Sequence, residues 1–266
     1  MKIKELMQEL FDMTEVEVEG TVDVCKTGDP EKEVKKVAVC CFACVSVLKQ
    51  AAEWGADLFI EHEPLFFDHY DHLAFDDNYS SDPIAKAKKK IITDSGMTCY
   101  RFHDYAHHAF PDLIAEGELR ECGLKGTYER GPFYAFNRFT LEEEMNAREL
   151  AAYLEKTLGI HHIRITGNTD FKGKRLALGF GSVGHITDFV NSDDYDFMLT
   201  GEIGEWNSAE YIRDASELGY KKAGLIMSHC GSERAGMKLV ADIIKENHPD
   251  LEVLYIESPE VYTYTD

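Results

Sequence analysis

The sequence predicts an α/β protein made of two lobes with mixed, largely parallel sheets. Two observations carry that reading. Short apolar runs alternate with helical periods along the whole chain, the pattern of strand–helix–strand units whose right-handed crossovers favour parallel pairing. The stretch 123–132 is rich in turn formers, with Gly123, Gly126 and the pair Gly131-Pro132. A boundary there gives an N-terminal lobe over 1–125 and a C-terminal lobe over 126–266, with the C-terminal segment expected to pack back on the first.

In order, 36–40 reads as a buried strand, 45–54 as a helix closed by Gly55, and 58–60 as the next strand. A Lys-rich helix is expected over 83–93, ended near Gly96, followed by a strand over 97–101. In the second half, 134–139 reads as a strand. Thr140 and Glu143 have capping-box spacing, which predicts a long helix over 142–158. Strands are expected at 163–166, 175–180, 197–199, 224–227 and 252–256, with helices near 205–218 and 233–247. No short repeat or low-complexity stretch interrupts this alternation.

Composition narrows the function. Of 266 residues, 28 are Lys or Arg and 49 are Asp or Glu, a formal net charge of −21. That charge repels phosphate backbones and anionic lipid, so neither nucleic acid nor a membrane is an expected partner. The longest apolar run, 37–45, falls far short of the ~20 residues that cross a bilayer. The amphipathic N-terminus lacks the apolar stretch of a signal peptide. The seven cysteines are an odd, scattered set. The one CxxC, Cys41 with Cys44, lies in an apolar stretch, so the thiols read as buried and reduced and the location as cytoplasmic.

Three strand ends carry the chemistry. His62 and Glu63 follow the strand 58–60, and in open α/β sheets ligands gather at such C-terminal ends. His103 and Asp104 follow the strand 97–101, and His107, four residues on, shares a helical face with His103 if the segment turns helical. His229 follows the strand 224–227, and Glu233 opens the next helix. Each alone also has a plainer reading: a hydrogen-bonded strand-end His at 62, a solvated polar loop at 103–104, and a helix-terminus carboxylate at Glu233. Three such ends together point to a metal, and imidazoles with carboxylates suit Zn, Fe, Mn or Co better than Ca or Mg. Bridging carboxylates allow two ions, an arrangement that serves hydrolysis by clamping an attacking water.

Other features rank lower. Gly179 to Gly184 spells G-x-G-x-x-G after a strand, but without a distinctive acid about 20 residues on it reads as a tight turn rather than a dinucleotide site. Cys230 beside His229 is a weaker nucleophile candidate. His69 and His72 read as solvated, His161, His162 and His248 as surface, and His185 as a helix-start residue.

The ordered motifs resemble a known family. Val22-Asp23 with the turn Gly28-Asp29-Pro30 before the first buried strand is similar to its opening. Ala56-Asp57-Leu58-Phe59-Ile60-Glu61-His62-Glu63-Pro64-Leu65-Phe66-Phe67 resembles its "aDLiisHHPLiF" motif. Tyr100-Arg101-Phe102-His103 resembles "vYsaHt", Leu199-Thr200-Gly201-Glu202 resembles "iTGEi", and Ser228-His229-Cys230-Gly231-Ser232-Glu233 resembles "GHyxsE". This is the pattern of the Nif-three-like dinuclear metal centre family, whose members are often labelled GTP cyclohydrolase I type 2 homologues.

The resemblance implies a Nif-three-like fold and a toroidal homo-hexamer. It also implies two divalent transition metal ions per chain, Zn, Fe or Mn, facing an internal cavity. The family's ligand pattern maps onto His62, Glu63, His107, His229 and Glu233, and the strand-end residues His103 and Asp104 complete the candidate metal set. Two positions depart from the family: Glu63 stands where it has a second His, and His107 where it has a bridging Asp. Either Glu63 compensates for the lost carboxylate, or Asp104 does, or the pair is reduced to one ion or none. The expected function is a metal-dependent hydrolase acting on a small-molecule substrate or anion. The alternative is a metal-binding or regulatory scaffold without turnover.

Overall fold

The computed structural model describes residues 1–14, 17–75, 82–131, 136–184 and 186–265. The sequence readings at Pro132, Tyr134 and His185 lie outside the described residues. Along the chain the elements are α1 (Ile3–Phe11), β1 (Cys25–Thr27), β2 (Lys36–Cys40), α2 (Val45–Trp54), β3 (Leu58–Glu61), α3 (His72–Phe75), α4 (Pro83–Ser95), β4 (Thr98–Arg101), α5 (Asp104–His108) and α6 (Leu113–Cys122). They continue with β5 (Gly126–Glu129), β6 (Asn137–Asn146), α7 (Ala147–Leu158), β7 (Arg164–Gly167), β8 (Lys172–Ser182), α8 (Ile186–Asn191), β9 (Phe197–Glu202), a π-helical turn (Glu205–Ala209), α9 (Glu210–Glu217), β10 (Ala223–Ile226), a short 3₁₀ turn (Cys230–Ser232), α10 (Arg234–Asn247) and β11 (Glu252–Tyr255). No helix is long and apolar enough to cross a membrane among the described residues.

The chain forms two compact units: Met1–Ile114 with Gly236–Pro259, and Ala115–Ala235 with Glu260–Asp266. The first holds a sheet ordered β1-β4-β3-β2-β11. β11, β2, β3 and β4 pair in parallel, and β1 adds antiparallel to β4. β3 lies centrally because Leu58, Phe59 and Ile60 are fully buried, as a strand covered on both faces requires. α2 buries Val47, Leu48 and Ala51 against that layer. α4 starts where the Asp82 carboxylate accepts the Ala85 N–H at 2.7 Å, with Pro83 in the first turn.

The second unit holds a sheet ordered β5-β6-β8-β9-β10-β7. Its centre is parallel, β8 to β9 to β10, and its flanks are antiparallel. Both units are thus mixed α/β sheets. α7 packs Leu150, Leu154 and Leu158 into the core lined by Leu176, Phe197 and Leu225.

One expected element is displaced. The helix predicted over 142–158 starts only at Ala147, because β6 runs to Asn146 and pairs with β8 as far as Asn146↔Lys172. Phe139 and Leu141 are buried while Thr140 is not, so strand periodicity overrides the Thr140–Glu143 box. The working box lies further along: Asn146 Oδ1 accepts the Glu149 N–H, and Glu149 Oε2 accepts the Asn146 N–H, each at 2.9 Å.

Candidate metal centre

In the first unit the site is built where β3 and β4 end. The chain leaves β3 in a turn in which the His62 and Glu63 N–H groups both donate to the Cys41 carbonyl, at 3.2 and 3.0 Å. Pro64 follows, consistent with a departure from strand geometry there. From β4, Phe102 leads into His103, and α5 begins. Its start is held by Asp23, a buried residue whose Oδ1 accepts the His103 N–H at 2.7 Å and whose Oδ2 accepts the Tyr105 N–H at 2.8 Å. Because α5 is helical, His107 returns to the same side as His103.

The result is a triangle of imidazoles. Ring centroids of His62 and His103 lie 4.7 Å apart, and His107 lies 5.1 Å from each. His62, His103 and His107 each offer a ligand atom within 4.8 Å of the others. Each ring is also held from behind through Nδ1. His62 Nδ1 lies 3.0 Å from the Phe102 carbonyl, His103 Nδ1 2.8 Å from Asp104 Oδ1, and His107 Nδ1 3.3 Å from Asp112 Oδ2. A carbonyl or carboxylate beside Nδ1 makes that nitrogen the donor and leaves the lone pair on Nε2. Metal-ligating histidines carry that same outward hydrogen bond.

The electrostatics favour the neutral form of His103 that a metal needs. Burial pulls the His103 imidazole down to about 4, against the opposing Asp104 hydrogen bond. Burial alone would raise the Asp104 carboxyl. The hydrogen bond and charge of His103, with the Val22 N–H and Thr21 hydroxyl, outweigh that and hold it well below the usual carboxylate range.

Glu63 sits beside this triangle. Its Oε1 is 3.6 Å from His103 Nε2, and its Oε2 is 3.7 Å from Arg101 Nη2. Arg101 is fully buried and pins the loop after β3. Its Nε donates to the His62 carbonyl at 2.9 Å, and its Nη1 donates to the His69 carbonyl at 2.5 Å. Asp71 completes that loop, accepting the Phe66 N–H at 2.7 Å and pairing with buried Lys26 at 3.1 Å. Glu61, the last residue of β3, is fully buried. Burial first, and then the charge of Asp71, push its carboxyl up to about 8.

In the second unit, His229 and Glu233 come together at the end of β10. His229 Nε2 lies 3.4 Å from Glu233 Oε2, and His229 Nδ1 lies 3.1 Å from Glu202 Oε1. The glycine motif belongs to this group, not to a phosphate loop. β8 runs through it to Ser182, and the register with β9 shifts between Gly179 and Ser182. A Cβ on Gly181, at φ +71°, would stand 2.1 Å from Glu233 Oε1 and 3.1 Å from His229 Nε2. The glycine leaves the space those two side chains fill.

Residues 1–260 match the family profile Duf34/NIF3 (NGG1p interacting factor 3). The chain belongs to the Duf34/NIF3 family. A curated relative, the GTP cyclohydrolase 1 type 2 homolog of Clostridium perfringens (strain 13 / Type A), is 24% identical over 98% of this chain and 97% of its own length. Among solved structures, a Bacillus cereus protein related to NIF3 superposes with TM-score 0.77 at 14% identity, over the whole of both chains. Reduced HcgD from Methanocaldococcus jannaschii gives 0.73 at 19% identity, over 96% of this chain and 97% of its own. The fold is therefore that of the NIF3 proteins.

Within this NIF3 fold the sequence-named residues fall into place as follows. His62, His103 and His107 converge, Glu63 borders them, and Asp104 stands behind His103. In the second unit, His229 and Glu233 pair. Sequence reasoning missed Asp23, Asp112 and Arg101, which hold the histidines and Glu63, and Glu202, which holds His229. Asp23, Arg101 and Glu202 lay inside quoted motifs, but nothing there marked them as supports. Asp112 carried no signal, because its role depends on a contact formed only by folding.

Proposed function

We propose that this chain is a metal-dependent protein whose imidazole triangle, His62, His103 and His107, ligates a divalent transition ion. Glu63, His229 and Glu233 complete a two-ion ligand set of Zn, Fe or Mn, with Asp104 as the orienting carboxylate of His103. The observation that carries this reading is the outward Nδ1 hydrogen bond on all three rings. Bound there, a divalent ion supplies Lewis-acid polarisation to an electrophilic substrate. The Nδ1 partners turn Nε2 of each ring inward, where it can ligate an ion.

The activity that fits is hydrolysis of a small molecule or anion, which accords with the name of the Clostridium relative, GTP cyclohydrolase 1 type 2 homolog. The reading extends to a cytoplasmic homo-hexamer. Light scattering should then give about six times 30.2 kDa. One observation favours the non-catalytic scaffold as second reading: the Glu63 charge is already faced by the buried Arg101 guanidinium, which suits a single ion.

Metal analysis of protein purified without added metal, followed by assays on phosphoesters, cyclic amides and GTP, tests both. Two ions per chain with turnover supports the hydrolase. One ion without turnover supports the scaffold. Absence of metal, with no uptake of zinc, iron or manganese, overturns the metal reading.

A further inference from the structure

Ser228 has a backbone conformation that non-glycine residues rarely adopt, with φ +88°. It immediately precedes His229. Such a conformation persists only where surrounding contacts over-determine it. Here the contacts are specific. The Met227 and Ser228 N–H groups donate to the Thr200 and Gly201 carbonyls at 2.8 and 3.1 Å. The Ser228 hydroxyl accepts the Gly231 N–H at 2.9 Å, and the same hydroxyl donates to Glu260 Oε1 at 3.1 Å.

Glu260 lies 32 residues on, in the C-terminal segment Glu260–Asp266 that belongs to the second unit. Further along that segment the Tyr264 ring lies 4.3 Å from the His162 ring, a second attachment of the segment to the same unit. A Cβ on Gly231 would come within 2.6 Å of the Ser228 hydroxyl and 3.3 Å of Glu260 Oε1. Glycine at 231 therefore keeps open the space through which Glu260 reaches the turn. Downstream of Ser228, the His229 ring is left between Glu202 and Glu233.

We propose that Ser228 and Glu260 are positioning residues for His229: Glu260 fixes the Ser228 hydroxyl, the hydroxyl holds the strained backbone, and that backbone aims the imidazole at Glu233. The C-terminal segment is thereby part of the His229 site. The inference rests on His229 being a metal ligand only for its effect on metal binding; the aim of the ring is a property of the metal-free protein.

The test uses the full chain with Ser228→Ala, Ser228→Gly, Glu260→Ala, Glu260→Gln and the double change Ser228→Gly with Glu260→Ala. Two quantities are measured: the His229 ring signals by NMR in metal-free protein at fixed pH, and the zinc dissociation constant. Ser228→Ala keeps the strain and loses the hydroxyl. It should move the His229 signals and weaken zinc binding about tenfold or more, the scale of orienting partners. Ser228→Gly also loses the hydroxyl but adopts positive φ without strain, so it should largely restore both. Glu260→Ala should act like Ser228→Ala, Glu260→Gln should stay near the parent, and Glu260→Ala should add nothing in the Ser228→Gly background. A merely structural hydroxyl would make glycine as harmful as alanine, and that result overturns the proposal. So does a Glu260→Ala effect that persists in the glycine background, or His229 signals indifferent to every change. If Ser228→Ala does not fold, the Glu260 pair decides the same question. If the parent takes up no zinc, the metal reading falls, and the ring signals still judge the clamp.

Discussion

The Asp104 carboxylate stands 2.8 Å from Nδ1 of His103 and fixes which nitrogen of that ring faces its two neighbours. Asp104 is itself held by the Val22 N–H and the Thr21 hydroxyl, so the orientation is transmitted from the backbone before α1's successor strand. Asp104→Ala should weaken zinc binding about 10–100-fold while leaving the three imidazoles in place. Asp104→Asn retains a hydrogen-bond acceptor and should cost less. Isothermal titration of both variants measures the difference.

Glu63 is the residue through which the ligand set departs most from a purely imidazole site. Glu63→Gln keeps its size and removes its charge. It should lower metal content relative to Glu144→Gln, an exposed change in the second unit. Glu61→Gln is no neutral control, since Glu61 is fully buried and its carboxyl is pushed up to about 8. Elemental analysis after identical purification decides whether Glu63 is a ligand. Equal metal in Glu63→Gln and the parent would assign Glu63 to Arg101 alone.

The start of α7 separates two competing sequence signals. Asn146→Ala removes a side chain that caps the Glu149 N–H and should destabilise the protein by about 0.5–2 kcal/mol. Thr140→Ala, within β6, should cost less than the cap. Urea unfolding of the two variants, followed by circular dichroism, gives the comparison.

Much of the site could be read from the sequence because each ligand follows an apolar strand. The burial of Leu58, Phe59 and Ile60 marks β3, and the ligands begin where that burial pattern meets polar residues. The spacing of His103 and His107 anticipated one helical face, and α5 provides it. Less legible were the supports. Arg101 sits in a β-strand as an unremarkable charge in sequence, yet folding buries it and aims it at the His62 and His69 carbonyls. The glycine run 179–184 resembled a tight turn, whereas it is a bulged strand that clears room for Glu233. Likewise, the capping spacing at Thr140 was outweighed by pairing with β8, a partner distant in sequence.

Glu118 gives a pH signature. It is fully buried, its Oε1 accepts the Ala235 N–H at 2.9 Å, and burial pushes its carboxyl from 4.5 up to about 8. Between those values the folded state holds a proton that the unfolded state has released. Stability from this group is therefore full below about 4.5, falls as pH rises toward about 8, and is level above it. The slope is at most about 1.4 kcal/mol per pH unit. Glu118→Gln keeps an acceptor for Ala235 and removes the titration, so its stability relative to the parent should improve from pH 5 to pH 8. Urea midpoints across that range, measured at roughly unit steps, test it.

X-ray absorption of zinc-loaded protein reads out whether His62, His103 and His107 hold one divalent ion through their inward nitrogens. The expected spectrum has nitrogen scatterers at about 2.0–2.1 Å with imidazole multiple scattering. That signal should shrink in His103→Asn and in His107→Asn, while the circular dichroism of both variants stays that of the parent. A parent spectrum without imidazole scattering, or one unchanged by either substitution, would contradict it.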